Sequence, residues 1–457
     1  MQRGQKRSEF QLPLFSGSDI YTKAGKKFRI RRRIHKGRLF LAVVIAAALI
    51  YFFLPRSSKV IHSNTNPENT SGISRENPRQ LPSLSLVAES VEEFSFALYK
   101  LLSNQYEGKN VIFSPFSLSS ALAMTYLGTK GESATQIEGT LKYHQIGSEH
   151  VHSAFHILNS DHFNKDDAYV LQTVNRLFGD YSYHFLSEFL SSSEAYYGAA
   201  FLGNTEEARK EINNWVELQT NNKIKDLIAK GAVNELTKLV IVNAVYFQGK
   251  WVHPFDVKAT ADGFFLLDGR KTSIKVPMMN CERKLNYYHD KSLKCQILEL
   301  PYGRSNLSML IILPDELDGL LSLEPMITSK ILNNWYSNLN NTTVKVTLPR
   351  FKLQSSFSVK AALQKLGVMD LFDEKKADLS GMSTDKELYV SDALHKTFIE
   401  VTEEGTKAAA ASAILINMRS AILSQPAIFN ANHPFVFVIK DKDTGLILFI
   451  GRVNNPY

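Results

Sequence analysis

Cysteine is nearly missing from this chain. Cys281 and Cys295 are the only two among 457 residues. One pair cannot form the cross-linked framework of a small secreted module, so the fold must rest on a hydrophobic core. The two lie either side of an expected turn, as free buried thiols or, in an oxidising compartment, as a single bridge. Enzyme signatures are missing too. No Gly-x-Ser-x-Gly, His-Glu-x-x-His, Gly-x-x-x-x-Gly-Lys or Cys-x-x-Cys occurs, which removes the usual pointers to hydrolase, zinc-protease, phosphate-cradle and dithiol chemistry. Internal repeats are absent. Excess positive charge is confined to one end: residues 1–38 hold twelve Lys or Arg and two acids, about +10, leaving about −2 of the net +8 for the rest. The body therefore carries no charge signature of a nucleic-acid binder.

What is present is core material. Apolar residues make up 44% and charged residues 21%, the balance of an ordinary globular protein with ample interior. The length admits two or three average domains, or one large domain with an appendage.

The basic tail, residues 1–38, runs into sixteen uncharged, mostly apolar residues, Leu39–Leu54. As a helix they would reach about 24 Å, short of a typical hydrocarbon core, yet flanking basic residues and Tyr51 extend that reach. The positive cluster before the segment predicts a cytoplasmic tail and a lumenal or extracellular body. A single-pass signal anchor is the expectation. The alternative is a cleaved signal peptide and a secreted body, but Phe52-Phe53-Leu54-Pro55-Arg56 lacks the small residues of a cleavage site. Residues 55–85 read as a polar linker with a glycosylation sequon at Asn69; a second lies at Asn340, in an expected polar loop. Asn306-Leu-Ser falls in an expected buried strand and is discounted.

From Ser90 the spacing of Val91, Phe94, Ala97, Leu98, Leu101 and Leu102 predicts an amphipathic helix. Further helices are expected at 118–127, 181–197 and 206–228. Strands then dominate, at 238–247, 296–300, 308–313, 343–348, 388–391, 397–401, 435–440 and 446–453. Helices early and strands late, without βαβ alternation, indicate an α+β fold. His152 and His156, four apart and with His150 nearby, would share a helix face, but no third ligand is marked, so a solvated face and no metal are expected.

The unusual stretch is 403–420. Lys407–Ala413 is strongly helical by propensity, yet it follows a strand-like run and ends in Ile and Leu. As a strand it would place Thr406, Ala408, Ala410, Ser412, Ile414 and Ile416 on one small or apolar face that a sheet could bury.

Four stretches together resemble the serpins, a family of serine protease inhibitors. They are Asn110-Val-Ile-Phe-Ser-Pro-Phe-Ser117, Asn243-Ala-Val-Tyr-Phe-Gln-Gly-Lys-Trp251, Glu403-Glu404-Gly405-Thr406-Lys407-Ala408-Ala409-Ala410-Ala411 and Phe429-Asn-Ala-Asn-His-Pro-Phe-Val-Phe-Val-Ile439. The resemblance covers about 86–457 and implies a serpin domain of helices on three β-sheets, with an exposed reactive-centre loop, acting as a monomer without cofactor. It makes 403–411 the hinge. Arg419, fifteenth from Gly405, becomes the bait, and Arg419-Ser420 the bond cut by a trypsin-like protease. Met418 as bait is the lesser alternative.

The implied mechanism is suicide inhibition. An acyl-enzyme forms, the cut loop inserts into the central sheet, and the tethered protease is disabled before deacylation. Lys407 departs from the common Glu but would point outward. Ser114, Ser117, Asn243 and His395 match positions that hydrogen-bond beneath the sheet and control its parting, and Trp251 matches one at its top. The resemblance also allows a non-inhibitory chaperone or carrier, which an intact hinge argues against. Ser148–Phe163 matches the helix that binds heparin in some serpins; rich in His and almost devoid of Lys and Arg, it predicts no strong glycosaminoglycan activation. The target protease is not readable from the sequence.

Overall fold

The computed structural model describes residues 82–162, 169–179, 183–198, 206–220, 222–231, 237–267, 272–303, 306–385, 387–405 and 425–457. The basic tail, the 39–54 segment, Asn69 and residues 406–420 lie outside the described residues. Among the described residues no helix is long and apolar enough to cross a membrane.

Helix α1, Pro82–Gln105, buries Leu84, Val87, Val91, Phe94, Leu98 and Leu102 along one face. It begins earlier than Ser90, inside the stretch read as linker, because Leu84, Val87 and Ala88 already pack into the core. After the short strand β1, Val111–Phe113, the Ser114 hydroxyl caps α2, Pro115–Tyr126, by accepting from the Ser117 N–H. Pro115 opens that helix, where its missing N–H has no cost. Every α2 residue except Tyr126 is buried, so this helix is enclosed on all sides. Helices α3, Gly131–Thr140, α4, Ser148–Ile157, α5, Ser187–Tyr197, and α6, Glu206–Gln219, follow.

Three boundaries differ from the sequence reading. The helix expected at 206–228 stops at Gln219, since Asn222 and Asp226 adopt φ of +59° and +46°, a left-handed backbone that no helix continues through. The helix expected from residue 181 begins at Ser187. The two strands expected at 388–391 and 397–401 are one, β10 (Val390–Val401), with a bulge between Val390 and Asp392.

A four-stranded sheet runs in the order β2 (Tyr169–Gly179), β3 (Leu239–Gly249), β10 (Val390–Val401), β9 (Phe351–Ser358). Its outer pairs are antiparallel, but the central β3–β10 pair is parallel. Both faces of β3 are covered, as parallel pairing favours. Leu239, Ile241, Val245 and Phe247 enter the main core. Val240, Val242, Ala244 and Tyr246 enter a second, smaller core with Ile212 and Val216 of α6 and Phe398 of β10.

The other strands are β4 (Ala261–Leu267), β5 (Thr272–Asp290), β6 (Cys295–Pro301), β7 (Leu307–Pro314), β8 (Asn340–Pro349), β11 (Ala427–Asn430), β12 (Phe435–Asp441) and β13 (Ile447–Val453). With β1 they form one continuous ladder of nine strands. The three sheets implied by the resemblance thus hydrogen-bond as two ladders. Two of the three are joined by the 19-residue β5, which pairs with β4 over 272–278, with β8 over 278–287 and with β6 over 286–290. All of β7, β12 and β13 is buried.

Candidate functional site

The site lies along the parallel β3–β10 pair. His395 and Asn243 are register partners there, and both are fully buried. The Ser114 backbone N–H approaches His395 Nε2 at 3.1 Å. An N–H can only donate, so Nε2 accepts and the ring proton sits on Nδ1, which donates to Asn243 Oδ1 at 2.5 Å. The Thr397 hydroxyl also lies 2.7 Å from Nε2. Burial pushes the imidazole down to about 3, so the ring is neutral.

Asn243 spends its amide N–H groups on the other side of the sheet floor. Its Nδ2 donates to Ser117 O at 3.1 Å, to Ser117 Oγ at 2.5 Å and to Asn175 Oδ1. Asn175 of β2 donates onward to Ser120 Oγ at 3.2 Å. Ser114, Ser117, Asn243 and His395 therefore meet in one hydrogen-bonded network. Asn175, Ser120 and Thr397 complete the network, and sequence reasoning missed them. Asn175 went unnoticed because β2 was not recognised as a strand at all. A buried network of this kind is rigid when every member is paired, and it opens only by breaking several bonds together.

Trp251 sits beyond the far end of β3 from this cluster. Its indole stacks on Tyr302 at 4.3 Å, and its Nε1–H donates to Thr402 O at 2.9 Å, just past the end of β10. There the chain turns sharply. Gly405 N–H returns to Thr402 O at 3.1 Å, with φ of +80° at Gly405. A Cβ on Gly405 would lie 2.2 Å from Gly249 O and 2.4 Å from Trp251 N, so only glycine fits.

Within that turn the Glu403 carboxylate is buried and accepts from Arg350 Nε at 2.7 Å on both oxygens and from Thr260 Oγ1 at 2.5 Å. Burial alone would raise this carboxyl, but the Arg350 and Thr260 hydrogen bonds hold it below the ordinary glutamate range. The Glu403 and Glu404 carbonyls accept from Phe255 N–H at 2.8 Å and Trp251 N–H at 3.2 Å. Of the expected hinge, these three residues are described; Thr406, Lys407, Ala408, Ala409, Ala410 and Ala411, with Arg419 and Ser420, lie outside the described residues.

Other candidates resolve differently. His152 does not face solvent as expected: its Nδ1 lies 2.7 Å from the Tyr197 hydroxyl of α5, and burial pushes it down to about 4. His156 is exposed. Among the described residues no cluster of His, Cys, Asp and Glu could hold a metal. Cys281 is half-buried and Cys295 buried, both as free thiols. Asn340 is exposed at the first position of β8 rather than in a loop, and Ser308 of the discounted sequon is fully buried.

Comparison with known proteins agrees with this arrangement. A profile of the serpin (serine protease inhibitor) family matches residues 89–456. The chain is 43% identical over 374 residues to the leukocyte elastase inhibitor of Homo sapiens, covering 79% of this chain and 97% of that protein. Human thyroxine-binding globulin superposes with a TM-score of 0.75 at 29% identity, over 82% of this chain and 99% of its own. Serpin48 of the insect Tenebrio molitor, described as highly specific, gives 0.71 at 34% identity over 81% and 98%. These matches span nearly the whole of each relative and reach through both the hinge and the buried cluster: the chain belongs to the serpin (serine protease inhibitor) family.

Proposed function

We propose that this protein traps trypsin-like serine proteases as a suicide substrate cleaved at Arg419-Ser420. The observation that carries the reading is the placement of the hinge. Gly405 ends a tight turn that leaves β10 beside the top of the parallel β3–β10 pair, and the small residues Ala408–Ala411 follow after Thr406 and Lys407. A protease serine attacks the Arg419 carbonyl, expels the Ser420 amine and leaves an acyl-enzyme. The freed segment then enters between β3 and β10 as an added strand, which requires the His395–Asn243 contact to give way. A trypsin-like primary pocket carries an acid that pairs with Arg, whereas an elastase pocket is small.

The name of the human relative favours a second reading, in which an elastase-like enzyme is trapped by cleavage at Met418. The likeness to thyroxine-binding globulin leaves a carrier role as the reading from another class. All three separate in one experiment. The full chain is mixed with trypsin and, separately, with an elastase, then run on a denaturing gel, and the released peptide is sequenced. A stable complex with trypsin and a peptide starting at Ser420 is the expected result. A complex with elastase alone and a peptide starting at Arg419 selects the second reading. Cleavage without any stable complex selects the carrier.

The apolar segment 39–54 behind its basic tail supports a membrane tether with the inhibitory domain lumenal or extracellular. Retention in the membrane fraction after alkaline carbonate washing is the expected outcome; release of the whole chain would end that assignment.

A further inference from the structure

Four consecutive residues at the start of β8, Asn340-Asn341-Thr342-Thr343, hold two overlapping Asn-x-Thr sequons, one on each asparagine. Sequence alone does not rank them, because each has threonine two places on. Both asparagines are exposed. Adjacent Cα atoms are about 3.8 Å apart, so two branched sugars cannot stand side by side and one position prevails.

Strand alternation separates the two. Asn340 and Thr342 belong to the row that continues into Val344 and Val346, both fully buried. Across the ladder that row faces Tyr287 and Leu285 of β5, which pack on the main core. Asn341 and Thr343 belong to the opposite row, which continues into exposed Lys345. Their register partners are Asn286 and Lys284, and Lys345 faces Glu282; Lys284 and Glu282 are exposed. A sugar rooted on the first row starts on the core side of the sheet, beside Tyr287. A sugar rooted on the second row starts over water and long charged side chains.

The amide hydrogen bonds add a second distinction. Asn340 Nδ2 donates to Asn338 O at 2.8 Å, closing the turn that leads into β8. Asn341 Nδ2 reaches Asn286 Oδ1 at 3.4 Å, at the edge of hydrogen-bond range. The Asn286 amide is itself held by Glu299 Oε2 at 2.7 Å, so that residue stays in place without Asn341. Modifying Asn341 disturbs the weaker of the two contacts.

We propose that Asn341 is the attachment site of a single N-linked oligosaccharide. In the step that installs it, Asn341 Nδ2 bonds to the anomeric carbon of a lipid-diphosphate-linked oligosaccharide. The carbon–oxygen bond to the diphosphate breaks, the lipid diphosphate leaves with that electron pair, and one amide proton passes to a base of the transferase. The second amide N–H remains on Asn341. Transfer acts on the extended chain, where both asparagines are open to it; folding then favours the molecules modified at Asn341, in which the turn bond of Asn340 and the Tyr287 side of the ladder are undisturbed. The sugar covers the outer face of β5 and β8 around Lys284. The proposal rests on the lumenal or extracellular placement of the domain proposed above.

The test uses the full chain made in cultured animal cells. A glycosidase in heavy-oxygen water turns each occupied asparagine into a labelled aspartate, and peptide fragment masses place the label at 340 or 341. Asn69, in a separate sequon of the same chain, reports whether the chain reached the lumen, and protease protection in sealed microsomes reports it independently. The expected result is label at Asn341, reduced at least about fivefold in Thr343→Ala and kept within about twofold in Thr342→Ala, since each change removes one sequon alone. Circular dichroism verifies that both variants are folded. Label at Asn340 instead, or a bare pair in a domain that is protease-protected or modified at Asn69, overturns the proposal and leaves the lumenal reading standing. A domain digested from outside sealed microsomes, with Asn69 bare, overturns the lumenal reading and the proposal with it.

Discussion

His395 and Asn243 stand directly opposite one another in the parallel β3–β10 pair, and the imidazole donates its only proton to the asparagine carbonyl. The bond crosses the seam that the proposed loop insertion would open. Because Nε2 already accepts from the Ser114 N–H, a second proton on the ring would break that bond and place a charge in a fully buried site.

That arrangement sets a pH dependence. The folded ring titrates at about 3, against 6.5 for the free side chain. Between those values the unfolded chain binds a proton that the folded one refuses. Stability is complete above pH 6.5 and declines on acidification by up to about 1.4 kcal/mol per pH unit. His152, at about 4, and His433, also lowered by burial, act in the same direction. Urea midpoints at pH 7.5, 6 and 5 should fall for the unsubstituted protein and fall less steeply for His395→Gln. Parallel slopes for the two proteins would refute the neutral, buried state of His395.

Gly405→Ala should loosen the hinge. The new methyl would sit 2.2 Å from Gly249 O at a backbone φ of +80°, a combination that costs about 1–2 kcal/mol in left-handed strain alone. The expected outcome is a thermal midpoint lower by about 2–4 °C, with faster proteolysis near residue 405. An unchanged midpoint would mean the turn is not held as described.

Arg350→Met strips the Glu403 carboxylate of its cation. Glu403 keeps only 5% side-chain exposure, while Arg350 keeps 40%, so the loss is smaller than for a fully buried pair, about 2 kcal/mol. The Glu403 pKa is lowered in the fold, so this stabilisation is present above the free glutamate pKa and disappears as pH falls below it. Denaturant unfolding of the variant and the unsubstituted protein should therefore differ at pH 7, with the gap shrinking progressively as the pH falls below the free glutamate range.

Thr406→Arg or Ala410→Arg should turn the inhibitor into a substrate, since an inserting strand would carry an unpaired charge into the sheet. Trypsin should still cut after Arg419, but the stable complex should vanish from the denaturing gel. Full inhibition by either variant would sink the insertion mechanism. Arg419→Glu should abolish trypsin recognition and leave the far-ultraviolet circular dichroism unchanged.

The two thiols should differ in reactivity. Burial, with Asp290 and Asp315 nearby, pushes Cys295 up to about 12, and the thiolate is the reacting form. In the native protein a thiol reagent should modify Cys281 alone, slowly, and reach Cys295 only after denaturation.

The sequence was most legible where one pattern served one environment. β12 opens with the apolar run Phe435–Ile439 and β13 with Ile447–Ile450 because both faces of these strands are buried. Ser114, Ser117, Asn243 and His395 were found through motifs, which carry long-range geometry that spacing alone cannot supply. β2 was missed because its residues serve two different polar contacts: Asn175 joins the buried cluster, and Arg176 lies 3.8 Å over the Trp215 ring of α6. The helix from residue 206 was overextended for the opposite reason. Ile224, Leu227 and Ile228 keep helical spacing, yet they reach the second core from an irregular segment. The Glu403–Arg350 pair and the contact of His152 with Tyr197 join residues 53 and 45 positions apart, and no local signal marks either.

The complete burial of β12 between β7 and β13 has a practical consequence for any cut at residue 419. Everything beyond it, Ser420 to Tyr457, would be a separate peptide by covalent count, yet two of its strands are central staves of the larger ladder. Severing the backbone there does not release the piece. A cleaved molecule should elute and sediment as one particle, and only a denaturant that dismantles the ladder should reveal that the chain has become two.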